Sequence, residues 1–132
     1  MPEVTLATSD GSLVIVNDRL LISAKVLQKE ILLDGKVIEP KSVSLSQFQR
    51  NPIVTRGVNL TAPRVGSCDS IVLSSDGTAL IAKIVFDATE LGLNAFQWFR
   101  SGLLWSFALK LDYQKSQSRL IALGIDRFAP II

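Results

Sequence analysis

The chain has 132 residues, 48% of them hydrophobic and 20% charged, with a net charge of +2. That length and hydrophobic share suit one domain over residues 1–132. They exclude a disordered chain, which needs low hydrophobicity and a large net charge. The charge is too small and too scattered for the clustered basic footprint of a nucleic-acid binder, and the absence of histidine excludes every hydrolase built on an imidazole base.

Residues 1–12 are polar and end in Asp10-Gly11-Ser12, a turn signal. Met1-Pro2-Glu3 lacks the basic-then-apolar pattern of a signal peptide. No apolar stretch is long enough for a membrane span. Leu13 to Val16 is a short β-branched run, and Leu20 to Leu33 predicts a strand pair or one long bent strand. Asp34-Gly35 is a hairpin signal, Lys36 to Ile38 the returning strand, and Pro40 its end. Ser44 to Arg50 predicts a short helix capped by Ser44, with Leu45 and Phe48 on one face. Ile53 to Thr55 reads as a short buried strand, and residues 56–67 as a long loop holding Gly57, Asn59, Pro63 and Gly66. Loops of that length often carry function or touch a partner.

Ser70 to Leu73 and Thr78 to Phe86 flank Ser75-Asp76-Gly77, the clearest hairpin in the chain. Asp87 and Glu90 read as a capping box for a helix whose Ala88, Leu91, Ala95, Trp98 and Phe99 face the core, with Gly102 closing it. Leu103 to Asp112 and Arg119 to Phe128 are the last two strands, joined by a polar tip over residues 114–118. The predicted class is α+β and mostly β: a small antiparallel barrel or sheet with one main helix and one short helix. The apolar end, Ala129-Pro130-Ile131-Ile132, is expected to pack on the domain or on a neighbour.

The residue types restrict the chemistry further. A single cysteine, Cys68, allows neither an intrachain disulfide nor a cysteine metal cluster, and reads as a small buried hydrophobe. Catalytic zinc sites mostly rely on imidazole, so neither a metal nor a cofactor is expected. Ser106 and Lys110 share one face of a strand, but lie roughly 13 Å apart, beyond hydrogen-bond reach. The acids Asp10, Asp34, Asp76 and Asp87 occupy turns or caps rather than a paired-carboxylate site. No phosphate-binding glycine loop is present. Trp98, Phe99 and Trp105 read as core. Arg56, Asn59 and Arg64 on the long loop, and Pro130, Ile131 and Ile132 at the end, are the candidate partner contacts.

One ordered set of short motifs stands out. It runs Asp34-Gly35-Lys36-Val37-Ile38, then Ser44 to Phe48, Asn51-Pro52-Ile53-Val54, Val65-Gly66, Asp76-Gly77, Ala82 to Phe86, a helix ending at Gly102, and Phe107-Ala108-Leu109. In order and spacing, the segment from Asp34 to Leu111 resembles the bacteriophage prohead protease family, whose fold is shared with the herpesvirus assemblins. The resemblance implies that fold over most of the chain. It also implies positions for the family's catalytic histidine and serine. By count these fall at Val58-Asn59 and at Ala108, with Ser106 two residues from the latter. A valine and an alanine there supply neither a base nor a nucleophile.

The resemblance therefore carries an expectation of no catalysis. The chain would be a phage virion structural protein, as a capsid cement, decoration or minor capsid component. It would contact the major capsid protein or other virion proteins, form a homo-oligomer, bind neither nucleic acid nor membrane, and assemble in the host cytoplasm. The alternatives are an assembly factor absent from mature particles, and an active maturation protease with atypical residues such as Ser106.

Overall fold

The structure, a computed structural model, describes residues 3–8, 14–31, 35, 37–56, 63–100, 105–113 and 118–127. In chain order the strands are β1 (Glu3–Thr8), β2 (Val14–Val16), β3 (Leu21–Gln28), β4 (Glu30–Ile31), β5 (Val37–Ile38), β6 (Ile53–Arg56), β7 (Arg64–Leu73), β8 (Ala79–Phe86), β9 (Trp105–Asp112) and β10 (Arg119–Arg127). The α-helices are α1 (Ser46–Arg50) and α2 (Glu90–Arg100). Among the described residues one eight-stranded sheet runs β1-β9-β10-β6-β7-β8-β3-β2, and β4 pairs with β5 separately.

This is the expected mostly-β α+β class, but the sheet is open, not a barrel: β1 and β2 are its two edges and do not pair. The sheet is also not wholly antiparallel, since β10 runs parallel to β6. Register shifts place an extra residue in β3 between Lys25 and Leu27, in β7 between Arg64 and Gly66 and again between Cys68 and Ser70, and in β10 between Leu120 and Ala122. Each extra residue raises the local twist and bends its strand.

Alternation sets which face is core. In β8, Leu80, Ala82, Ile84 and Phe86 are buried, while Ile81, Lys83 and Val85 point the other way and are less covered. This is the period of two that a strand with one buried face imposes. β3 does the same with Ile22, Ala24 and Val26, and β9 with Phe107, Leu109 and Leu111. Phe86 joins the sheet to α2 through ring contacts at 5.8 Å to Phe96 and 5.5 Å to Phe99, and Phe99 reaches Phe107 at 5.7 Å.

Several local expectations change. Residues 3–8 form an edge strand rather than a polar lead-in, because Val4 and Leu6 alternate with Glu3 and Thr5 in register with β9. The loop expected over 56–67 ends sooner, as β7 begins at Arg64 and pairs with β6 and β8. Ser44 is not a helix cap. It bridges to β10, its N–H donating to the Ser118 carbonyl at 2.7 Å and its carbonyl accepting from the Leu120 N–H at 2.9 Å. The cap of α1 is Leu45, with no side-chain hydrogen bond.

For α2 the cap is Thr89, whose Oγ1 accepts from the Gly92 N–H at 3.2 Å, the usual bond from a cap hydroxyl to the third helical N–H. Asp87 instead pairs with Arg64, Nε to Oδ2 at 3.0 Å. Ala95 and Phe99 are buried as expected and Leu91 and Trp98 half-buried, but Ala88 is exposed and Phe96 takes a place in the core. The Asp76-Gly77 hairpin holds: Gly77 has φ +75, and the Asp76 carboxylate accepts from Ser74 Oγ at 2.6 Å and Thr78 Oγ1 at 2.7 Å. Gly102 lies outside the described residues.

Candidate functional site

The sheet register brings together parts of the chain that are far apart in sequence. Ala108 in β9 pairs with Ala7 in β1 and with Gly124 in β10. Gly124 pairs in turn with Thr55 in β6. Directly paired residues point to one face, so Ala7, Ala108, Gly124 and Thr55 form a row across four strands. Two strand spacings separate Ala108 from Thr55, about 9.6 Å. The parallel pairing of β10 and β6 thus places the end of β6 two strands from position 108.

The rows on either side carry polar residues. Ser106 is paired with Asp126 on one side of Ala108. Lys110 is paired with Thr5 and Ala122 on the other, and is half-buried. Beyond it Asp112 pairs with Glu3 and Arg119. The Asp112 side chain is fully buried and meets the Arg119 guanidinium through Oδ2, while its Oδ1 has no hydrogen-bond partner among the described residues. The only sequence signal for this ion pair is an acid closing an apolar strand, with an arginine seven residues on. The row itself is built of small side chains, and Ala108 is 9% exposed. Ala108 and Gly124 are buried, and Lys110 in the neighbouring row is half-buried.

The other candidate residues divide into two sets. Val58, Asn59, Pro130, Ile131 and Ile132 lie outside the described residues. Arg56 and Arg64 are both exposed, yet both guanidiniums are engaged within the chain. Arg56 stacks over Trp98 with Cζ 4.9 Å from the ring centroid, and Arg64 holds Asp87. These contacts tie the end of β6 to α2 and the start of β7 to the segment that leads into α2. Cys68 is buried, and that burial pushes its thiol up to about 12, with a smaller lowering effect from the Ser70 backbone. Such a thiol is a packing group and a poor nucleophile. Among the described residues no group of three or more cysteine or acidic side chains is placed to hold a metal ion, and no helix is long and apolar enough to cross a membrane.

No protein-family model and no curated sequence matches the chain. A solved structure does: the capsid assembly protease of bacteriophage T4, gp21, superimposes with a TM-score of 0.55 over 98% of this chain and 100% of that one, at 7% identity. The fold is therefore that of a phage capsid assembly protease, as the motif order implies. The same finding corrects the expectation that the chain is no enzyme. The T4 protein on this fold is a protease, and a missing histidine excludes imidazole chemistry alone.

Proposed function

We propose that this chain acts in bacteriophage capsid assembly, as a protease-fold protein that engages extended segments of the shell or scaffold proteins. The observation that carries this is the likeness to the T4 capsid assembly protease over nearly the whole of both chains. The small-residue row Ala7–Ala108–Gly124–Thr55 is the surface on which such a segment would lie. Its partners are the major capsid protein or other virion proteins, met in the host cytoplasm as the particle forms.

Cleavage on this scaffold runs without imidazole. By strand register, Ser106, Thr55 and Lys110 hold positions on the face of Ala108 and are the candidates for the chemistry. Ser106 and Lys110 are roughly 13 Å apart along one strand, so a proton moves between them only through water or substrate.

The test is co-expression with the cognate capsid and scaffold proteins. Mass spectrometry of purified immature and mature particles is expected to find this chain in at least one of them. New termini on capsid or scaffold chains, lost in Ser106→Ala or Thr55→Ala, would identify the nucleophile. Absence of the chain from both particle types would overturn the proposal.

A further inference from the structure

The half of the sheet farthest from Ala108 carries a second surface. On β2, Ile15 packs against the core while Val14 and Val16 point to the opposite face. Val16 pairs with Leu21, and Leu21 with Val85; Val14 pairs with Ser23, and Ser23 with Lys83. An apolar row and a polar row therefore run side by side across three strands. Val14, Val16, Leu21, Ser23 and Lys83, with Arg19 and Asp69, line an open pocket of about 350 Å³, at the small end of ligand-binding clefts, which run from about 300 to 1,000 Å³.

Three features make this more than a solvated sheet face. Val14 is 57% exposed, one of the most exposed large apolar residues among those described. No ion pair is found for Arg19, Lys83 or Asp69 among the described residues, so the pocket presents two unneutralised cations against one carboxylate. β2 is also an edge strand, and an edge strand presents backbone N–H and C=O groups that can pair with an added strand. Arg19 is carried to the pocket by a turn in which Leu20 takes φ +52, a left-handed conformation that a non-glycine residue adopts only at a cost. The Leu20 carbonyl is held there by the Phe86 N–H at 2.9 Å.

We propose that this face docks an extended acidic–apolar segment of a partner protein, added as a strand beside β2. Main-chain pairing with the β2 edge supplies affinity, and alternate side chains supply specificity. One apolar side chain sits against Val14, Val16 and Leu21. An acidic side chain two residues away reaches between Arg19 and Lys83. The net positive pocket selects against a basic segment. The surface is separate from the Ala108 row and does not depend on what happens there.

The test uses the full chain and a displayed library of random eight-residue peptides. Selection is expected to enrich Asp or Glu two residues from Val, Ile or Leu, and the selected peptides should perturb the amide resonances of Val14 to Val16. An Arg19→Glu/Lys83→Glu chain is expected to bind them at least tenfold more weakly, and changing the peptide acid to Lys should restore binding, which a merely misfolded variant would not allow. Three results would overturn the proposal: no enrichment, enriched peptides indifferent to the charge reversal, or a concentration-dependent dimer of the chain itself that the reversal abolishes.

Discussion

Replacing Gly92 with alanine tests how α2 is seated on the sheet. Gly92 is buried in the first turn of α2. A Cβ built there falls 2.2 Å from the Asp87 carbonyl oxygen and 2.9 Å from the Val65 carbonyl oxygen. Both are main-chain atoms. The Val65 oxygen already accepts the Asp87 N–H at 2.9 Å, so it is not free to move aside. Two effects of opposite sign compete. Helix propensity favours alanine by about 1 kcal/mol. Overpacking against a fixed backbone costs about 1–3 kcal/mol, occasionally more, and an approach of 2.2 Å belongs at or above the top of that range. The net expectation is a loss of about 2 kcal/mol or more.

For a domain of this size that lowers Tm by roughly 3–5 °C per kcal/mol. Urea titration followed by circular dichroism reads it directly. Because α2 must lift, the Phe86, Phe96 and Phe99 contacts loosen with it, and near-ultraviolet ellipticity should fall as well. A Gly92→Ala chain that is unchanged, or more stable by about the propensity difference of 1 kcal/mol, would refute the reasoning.

Gly77→Ala is a contrasting case, since nothing lies within 4 Å of its Cβ but its φ is +75; thermal melts should show a loss of about 1–2 kcal/mol from backbone strain alone, with α2 unaffected. Arg119→Met should cost about 1–3 kcal/mol, because it strands the buried Asp112 carboxylate, with the lower part of that range reflecting the solvent already around Arg119. The double change Asp112→Val/Arg119→Met should recover most of it; a double variant as weak as the single one in urea titration would contradict this. Cys68 should resist iodoacetamide at pH 8.5 until denaturant is added. Its thiol is raised from 9.0 to about 12 on folding, so it contributes stability that is complete below pH 9 and is lost as the pH climbs toward 12. Unfolding midpoints that do not fall across that alkaline window would count against burial as the cause.

Much of the fold was legible because local chemistry and tertiary role agree. The Asp76-Gly77 hairpin needs only a positive-φ glycine and an acid that collects hydroxyls, and both are local. The apolar alternation of β8 and β9 likewise states its own buried face. What was missed depends on partners distant in sequence. Val4 and Leu6 alternate as a strand should, but six residues become a strand only when β9, a hundred positions later, offers an edge. Arg64, Gly66 and Asp69 look like loop residues. They are strand residues because Gly66 admits the Val85 carbonyl and Asp69 sits in a bulge. Asp87 resembled a helix cap by position and was taken by Arg64, leaving Thr89 to do the capping. The site was legible only as spacing. Position 108 was named from motif order, whereas its neighbours Ala7, Gly124 and Thr55 follow from strand pairing that no local pattern encodes.

The parallel pair is the step that makes the site. In an all-antiparallel meander β10 would fold back beside β9 and stop there. Here β10 also lies beside β6, and the segment leading into β6 is held on β10 by the bridge from Ser44 to Arg119 and by α1. Since β6 and β10 point the same way, both strands end on the same side of the sheet, where β9 and β7 begin. Arg56 and Arg127, Trp105 and Arg64 are the terminal residues at that end. Arg56 on Trp98 and Arg64 on Asp87 then fasten that end to α2 and to the segment that leads into it. A chain segment lying along the Ala108 row would enter over this fastened end. Loosening it by Asp87→Ala should therefore weaken engagement of a capsid or scaffold segment more than it weakens the fold: an exposed pair such as Arg64–Asp87 contributes about 0.2–1 kcal/mol to stability. Pull-down of the cognate scaffold with the wild-type and Asp87→Ala chains, set beside their urea midpoints, separates the two effects. Equal proportional losses in both would show that the end of the sheet is a structural clamp with no part in engaging the segment.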